Sequence, residues 1–194
     1  MNGKLMEAFE HYLQERTQES FLNARRVLMS LPSYNPMSPE LYALDEMLRA
    51  GDWHSMRDLA SQVVDNWMLT PYIHEALALA YKKLDDHERS SLEYALSVAC
   101  AEGIISTGDG TAEKPYLVVR SDDAYGVLNF LEIEWTEERR VDGPNGSKYL
   151  LLIGNNGREF WFDLTDTFLV RKHDLANTRF FGFGRRRPAR RQGS

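Results

Sequence analysis

Residues 51–86 read GDWHSMRDLASQVVDNWMLTPYIHEALALAYKKLDD, and the two ends of the stretch carry the same signal. Gly51-Asp52 and Asp85-Asp86 are turn pairs 34 positions apart, each followed by a helical pattern. Between them, Asp52 opens a helix with Trp53, Met56, Leu59, Ala60, Val63, Val64 and Trp67 as its apolar positions. Thr70-Pro71 opens the next, which carries Ile73, Ala76, Leu77, Ala80, Tyr81 and Leu84. A threonine hydroxyl accepts an orphan amide of the first turn, and proline lacks the amide that would be wasted there. Thirty-four residues is about the period of tetratricopeptide-type helical pairs. Leu44 and Ala78, Met47 and Tyr81, Ala60 and Tyr94, and Val64 and Val98 fall in register at that period. Met56 and Ser90 replace expected small residues, so a plain antiparallel helical bundle is the competing description.

Upstream, Leu5, Ala8, Phe9, Tyr12 and Leu13 predict a helix over 4–15, and a second is expected from Thr17 to Ser30. Their turn, Arg16-Thr17, lies about one more period back. The proline-rich run 32–39 ends on Ser38-Pro39, which reads as N-cap and first helical residue of a helix carrying Leu41, Leu44, Met47 and Leu48. Downstream, Leu92, Ala95, Leu96 and Ala99 mark a last helix, and Gly103 begins a turn-rich link over 104–111. A strand over Tyr116–Arg120 follows, then a short helix capped by Ser121 and running to Leu131, then strands at Trp135–Val141, Tyr149–Ile153 and Phe160–Leu164. Gly143-Pro144-Asn145-Gly146 and Asn155-Asn156-Gly157 supply the hairpin turns. The Tyr149–Ile153 run is continuously apolar and predicts burial on both faces, with Trp161 expected under the helices. The fold class is therefore α+β. Tetratricopeptide-like antiparallel helical pairs over 1–102 are packed against a β-α-β-β-β unit with a mostly antiparallel sheet over 103–170. A basic tail, expected to be disordered, occupies 171–194. Two or three pairs cannot close both ends of a solenoid, so the sheet unit is expected to cap the last helix.

The run Ile105-Ser106-Thr107-Gly108-Asp109-Gly110 leads to Pro115-Tyr116-Leu117-Val118-Val119, then Ala124-Tyr125, Asn145-Gly146 with Tyr149, and Phe160-Trp161-Phe162-Asp163. This resembles the bacterial family called domain of unknown function 4919. There a Ser-x-Gly-Asp-Gly turn leads into a strand, a helix with a Glu-Tyr pair, a Gly-x-x-Tyr-Asp hairpin and a Tyr-Phe-Asp strand, with helical repeats usually ahead of it. The likeness spans most of 40–165 and implies a fold and a bacterial setting but no activity. Here the Glu-Tyr place reads Ala124-Tyr125 and the Tyr-Asp place Tyr149-Leu150, so neither acid can carry a shared chemistry.

Composition sets the remaining bounds. The 194 residues carry a net charge of −6, yet residues 171–194 hold eight basic side chains against one acid, Asp174, so the body is far more acidic than the total implies. One cysteine, Cys100, rules out an internal disulfide framework and fits a reducing compartment, and with an acidic, amphipathic N-terminus the expected location is cytoplasmic. No apolar run is long enough for a membrane span.

The pair spacing points to a partner-binding groove lined by the first helix of each pair: Leu41, Asp45, Leu48 and Arg49, then Tyr72, Glu75, Leu79 and Lys82. Charge mixed with apolar side chains suits a peptide or a partner protein. Gly108-Asp109-Gly110 is the sharpest local motif: its glycines let amides approach an anion and Asp109 has an acid to offer, although a tight Asx turn explains the same residues. Arg185, Arg186, Arg187, Arg190 and Arg191, with interleaved phenylalanines upstream, suit nucleic acid or an anionic surface, or else are a solvated tail. No residue is assigned as catalytic. The five histidines lack metal-ligand spacing, Cys100 reads as an inert buried thiol, and neither metal nor cofactor is implied. The leading expectation is a non-enzymatic interaction or accessory module. The alternatives are an enzyme using Asp109, Asp163 and His173 near the Gly-Asp-Gly turn, and binding through the tail.

Overall fold

The structure is a computed structural model that describes residues 2–169; the tail, with His173 and the arginines named above, lies outside the described residues. Six helices come first: α1 (Gly3–Glu15), α2 (Gln18–Met29), α3 (Glu40–Ala50), α4 (Trp53–Trp67), α5 (Pro71–Lys83) and α6 (His87–Ser106). Then follow β1 (Tyr116–Leu117), α7 (Asp123–Phe130), β2 (Trp135–Asp142), β3 (Lys148–Gly154), β4 (Glu159–Asp163) and α8 (Thr165–Leu169). The sheet order is β1-β4-β3-β2, with β1 parallel to β4 and the other two pairings antiparallel. The chain is α+β, as its residue pattern predicts.

The 34-residue period is written into the backbone of the two turns. Gly51 and Asp85 both take a left-handed φ, 72° and 59°. The Gly51 amide donates to Leu48 at 3.4 Å and the Asp85 amide to Lys82 at 3.3 Å; the next amides, of Asp52 and Asp86, donate to Met47 and Tyr81, each at 2.9 Å. Asp52 and Asp86 then cap α4 and α6, their carboxylates accepting from the Ser55 and Arg89 amides at 3.2 and 3.1 Å. Each of these bonds in the first turn has its counterpart 34 residues on in the second. The α1/α2 turn is built differently. Arg16 is the left-handed residue, its amide donates to Tyr12, and Thr17 and Ser20 form a capping box. This first pair does not extend the array upstream: the Tyr12 hydroxyl donates to the Ala99 carbonyl of α6 at 2.5 Å, and Phe21 lies against Gly103.

Gly103 is therefore no breaker. Helix α6 runs through it to Ser106, and packing requires the glycine: a Cβ there would sit 2.3 Å from the Phe21 ring and 2.8 Å from the Tyr12 hydroxyl. The glycine lets α1 and α2 close on α6. The expected division at 102/103 thus falls inside a helix, and Cys100 and Ile104 share one core with Leu5, Phe21, Val127, Leu152, Phe160 and Phe162. A second core, with Leu44, Met56, Trp67, Ile73 and Leu77, fills α3–α5. Gly103→Ala is expected to destabilise: about 1 kcal/mol of helix propensity is gained, but overpacking against two fully buried rings costs about 1–3 kcal/mol. A melting temperature lowered by several degrees checks this; an unchanged or higher one would mean that the rings yield freely.

Several local expectations are corrected. Ser38 does not cap α3; its hydroxyl donates to the Glu40 carboxylate, and Pro39 stands at the cap position. Thr70 precedes Pro71 as expected, but its hydroxyl makes no capping bond. The strand at 116–120 stops at Leu117 because side chains take the next peptide groups. Arg25 donates to the Val118 carbonyl, the Tyr34 hydroxyl to that of Val119, and Asp123 accepts from the amides of Val119 and Arg120. Asp123 rather than Ser121 thus organises the entry to α7. On β3, Leu150, Leu151 and Leu152 are all buried, as predicted. Trp161 is not under the helices. They cover the Phe160/Phe162 face, while Trp161 alternates to the other, half-buried, with its indole N–H donating to Glu159 at 3.0 Å and its ring edge-on to Tyr149.

Candidate interaction surface

Helices α5 and α6 leave between them a depression of about 370 Å³ lined by Glu75, Ala78, Leu79, Lys82, Ser90, Ser91 and Tyr94. Three of the eight expected groove residues, Glu75, Leu79 and Lys82, meet here on the exposed side of α5. The others do not join them. Leu41 is buried in the second core and Leu48 packs at its edge. Tyr72 is half-buried and donates its hydroxyl to Asp45 at 2.5 Å, which ties α5 to α3; Arg49 is exposed at the end of α3. The depression is closed by α6 residues that the groove reasoning missed. Their signal was the repeat register itself. Ala60 is buried where α4 meets α5, but its counterpart one period later, Tyr94, is 63% exposed, because no further pair follows α6 in the array. Leu79 at 38% and Leu92 at 57% are exposed on the same two helices.

Beneath this surface a charged junction locks α5 to α6. The His74 ring nitrogens face two acceptors, the Glu93 carboxylate from Nδ1 at 2.7 Å and the Met68 carbonyl from Nε2 at 3.0 Å. Cys100 Sγ lies 3.5 Å from the same carbonyl. A neutral imidazole would turn a lone pair on one of these oxygens, so the geometry calls for the doubly donating imidazolium. Burial pushes the group down, but contacts with the Cys100 sulfur and the Glu93 carboxylate override it and hold it up at about 10. Met68 ends α4, so the cation also sits at the negative end of a helix dipole. No spacing rule shows this cluster in the sequence, since its members come from three separate segments.

A second polar junction joins the α2–α3 loop to the entry of α7. Arg25 donates to the Val118 carbonyl and to Asp166 at 2.9 Å; Arg120, fully buried, donates to the Asn35 carbonyl at 3.0 Å; Asn66 accepts from the Asn35 amide and donates to its carbonyl. Burial pushes the Asp123 carboxyl up to about 7, against the pull of Arg120 and two backbone amides. Its Oδ1 and the Arg120 Nε have no hydrogen-bond partner.

The Gly108-Asp109-Gly110 turn is closed on itself. The Asp109 carboxylate accepts from the Thr111 amide at 3.0 Å and hydroxyl at 2.7 Å, and these bonds hold its acid below the usual range. The amides of Asp109 and Gly110 both donate to the Lys114 carbonyl, and the Gly110 carbonyl accepts from Trp161. The amides that an anion would need are spent on the turn. Asp163, the second acid of the enzyme alternative, accepts from the Thr165 amide at 2.7 Å at the start of α8. Among the described residues no group of three or more His, Cys, Asp or Glu is placed to hold a metal ion, and no helix is long and apolar enough to cross a membrane.

No family model, no curated protein and no solved structure matches this chain.

Proposed function

We propose that the protein is a non-enzymatic interaction or accessory module that takes a partner peptide or protein against the α5/α6 surface. The observation that carries this reading is the open end of the array: exposed Leu79 and Tyr94 in a depression with Glu75 and Lys82 on its walls. An exposed leucine and an exposed tyrosine facing one depression, rimmed by charge, are the composition of a docking patch. The cytoplasm is the compartment we propose, on the single free cysteine. The family likeness seen in the residues of 105–163 supports a bacterial setting and adds no chemistry.

Leu79→Glu is expected to abolish retention of a partner from a native extract while leaving the melting temperature within a degree or two. An exposed substitution costs only about 0.5 kcal/mol in stability, whereas a buried charge at the centre of an interface costs several. Retention equal to the wild type would remove the α5/α6 surface from the account. A second reading puts binding on the arginines of the tail, on composition alone. It requires steep salt dependence and loss of binding on truncation after Leu175.

A further inference from the structure

The open end of the array has a charge pattern that suits one particular partner. Glu75, Leu79 and Lys82 are four and three residues apart, so they form a single stripe along the exposed face of α5. An acid stands at one end, a base at the other, and an exposed leucine between them. An antiparallel helix complements this stripe when it carries the same three residues in the same order. Its base then meets Glu75, its acid meets Lys82, and the apolar side chains meet in the middle. Helix α5 of a second copy is such a helix, and in a two-fold contact each pairing occurs twice. Tyr94, which projects from α6 beside the depression, supplies an aromatic anchor for the depression of the other copy. The first pair of the array shows what such a contact replaces, since Ala60 is buried at the place where Tyr94 is open. The C-terminal half of α6 is already covered by α1, α2 and the sheet, so the unmet surface is confined to α5 and the first half of α6.

We infer that the α5/α6 surface is a two-fold interface between two copies of this chain, with Glu75 of each facing Lys82 of the other across Leu79 and Tyr94. This rests on the reading of the surface as an interaction site and names its partner.

Charge reversal in the full chain, followed by sedimentation equilibrium, tests it. The wild-type mass is expected to rise with concentration from 22.4 kDa towards twice that value. Glu75→Lys and Lys82→Glu alone bring like charges together and are expected to stay monomeric at concentrations where the wild type is paired. The double reversal restores the pairing, and an equimolar mixture of the two single variants forms a mixed dimer. That mixture also controls for folding, because both chains must be native to pair. A wild type that is monomeric throughout, single variants that associate as the wild type does, or a double variant and a mixture that both stay monomeric would each overturn the dimer. A monomeric wild type whose retained partner is lost on Leu79→Glu overturns the dimer alone. Mass and retention both indifferent to Leu79→Glu overturn the module reading with it.

Discussion

Asp123→Ala is expected to destabilise the fold by about 2–5 kcal/mol, the cost of leaving two buried backbone amides without an acceptor. Its carboxylate accepts from the amides of Val119 and Arg120 at 3.0 and 2.9 Å, in a stretch whose peptide groups have left the strand ladder. Alanine leaves both amides, in a fully buried stretch, without an acceptor. Asp123→Asn keeps an oxygen for the amides and is expected to cost less than half as much. The two variants also separate in pH. The folded-state value of about 7 lies above the unfolded value of 3.8, so the native state holds the proton more tightly between the two. The stability it contributes is full below pH 4, falls as pH rises towards 7 by at most about 1.4 kcal/mol per unit, and is gone above. Asp123→Asn removes that dependence. Denaturant melts at pH 4, 5.5 and 7 check both points; a flat wild-type profile over this window would contradict the buried proton.

His74→Ala is expected to cost about 3 kcal/mol or more, because Glu93 then stays in the α5–α6 seam without its cation and the Met68 carbonyl loses a donor. Glu93→Gln retains one polar contact and is expected to cost less. The linkage has the same sign as for Asp123 but another window. A folded value of about 10 against 6.5 unfolded gives stability that is complete below pH 6.5 and is lost as pH rises through 10. Melts of the wild type and His74→Ala should therefore converge as pH climbs from 6 to 10. Parallel profiles would show that the imidazole is neutral in the native state. Because the junction underlies the Leu79 surface, His74→Ala is also expected to weaken partner retention, whereas Asp123→Asn leaves it unchanged.

What was legible in the sequence was whatever local rules control. Helix faces follow from apolar spacing and turns from glycine, asparagine and aspartate. The 34-residue period emerges from paired turn residues, down to matching amide acceptors in the two turns. The sheet unit was legible too, because the short apolar runs Leu150–Leu152 and Phe160–Phe162 are bounded by clear turn signals. The failures share a cause. Gly103 looks like a breaker until Phe21 and Tyr12 arrive from 82 and 91 residues away. Val118–Arg120 has strand propensity, but Arg25, Tyr34 and Asp123 claim its peptide groups. The His74, Glu93 and Cys100 cluster and the closing of the depression by Tyr94 are likewise products of helix packing. The first helix of each pair is only part of the surface: the fold buries Leu41 of α3 and ties down Asp45, and α6 supplies the other wall.

Native capture compared across the full chain, Leu79→Glu and a truncation after Leu175 tests the surface assignment most directly. The account predicts that the partner survives truncation and is lost with Leu79→Glu. A partner lost on truncation and kept by Leu79→Glu would contradict it and place binding on the arginine-rich tail.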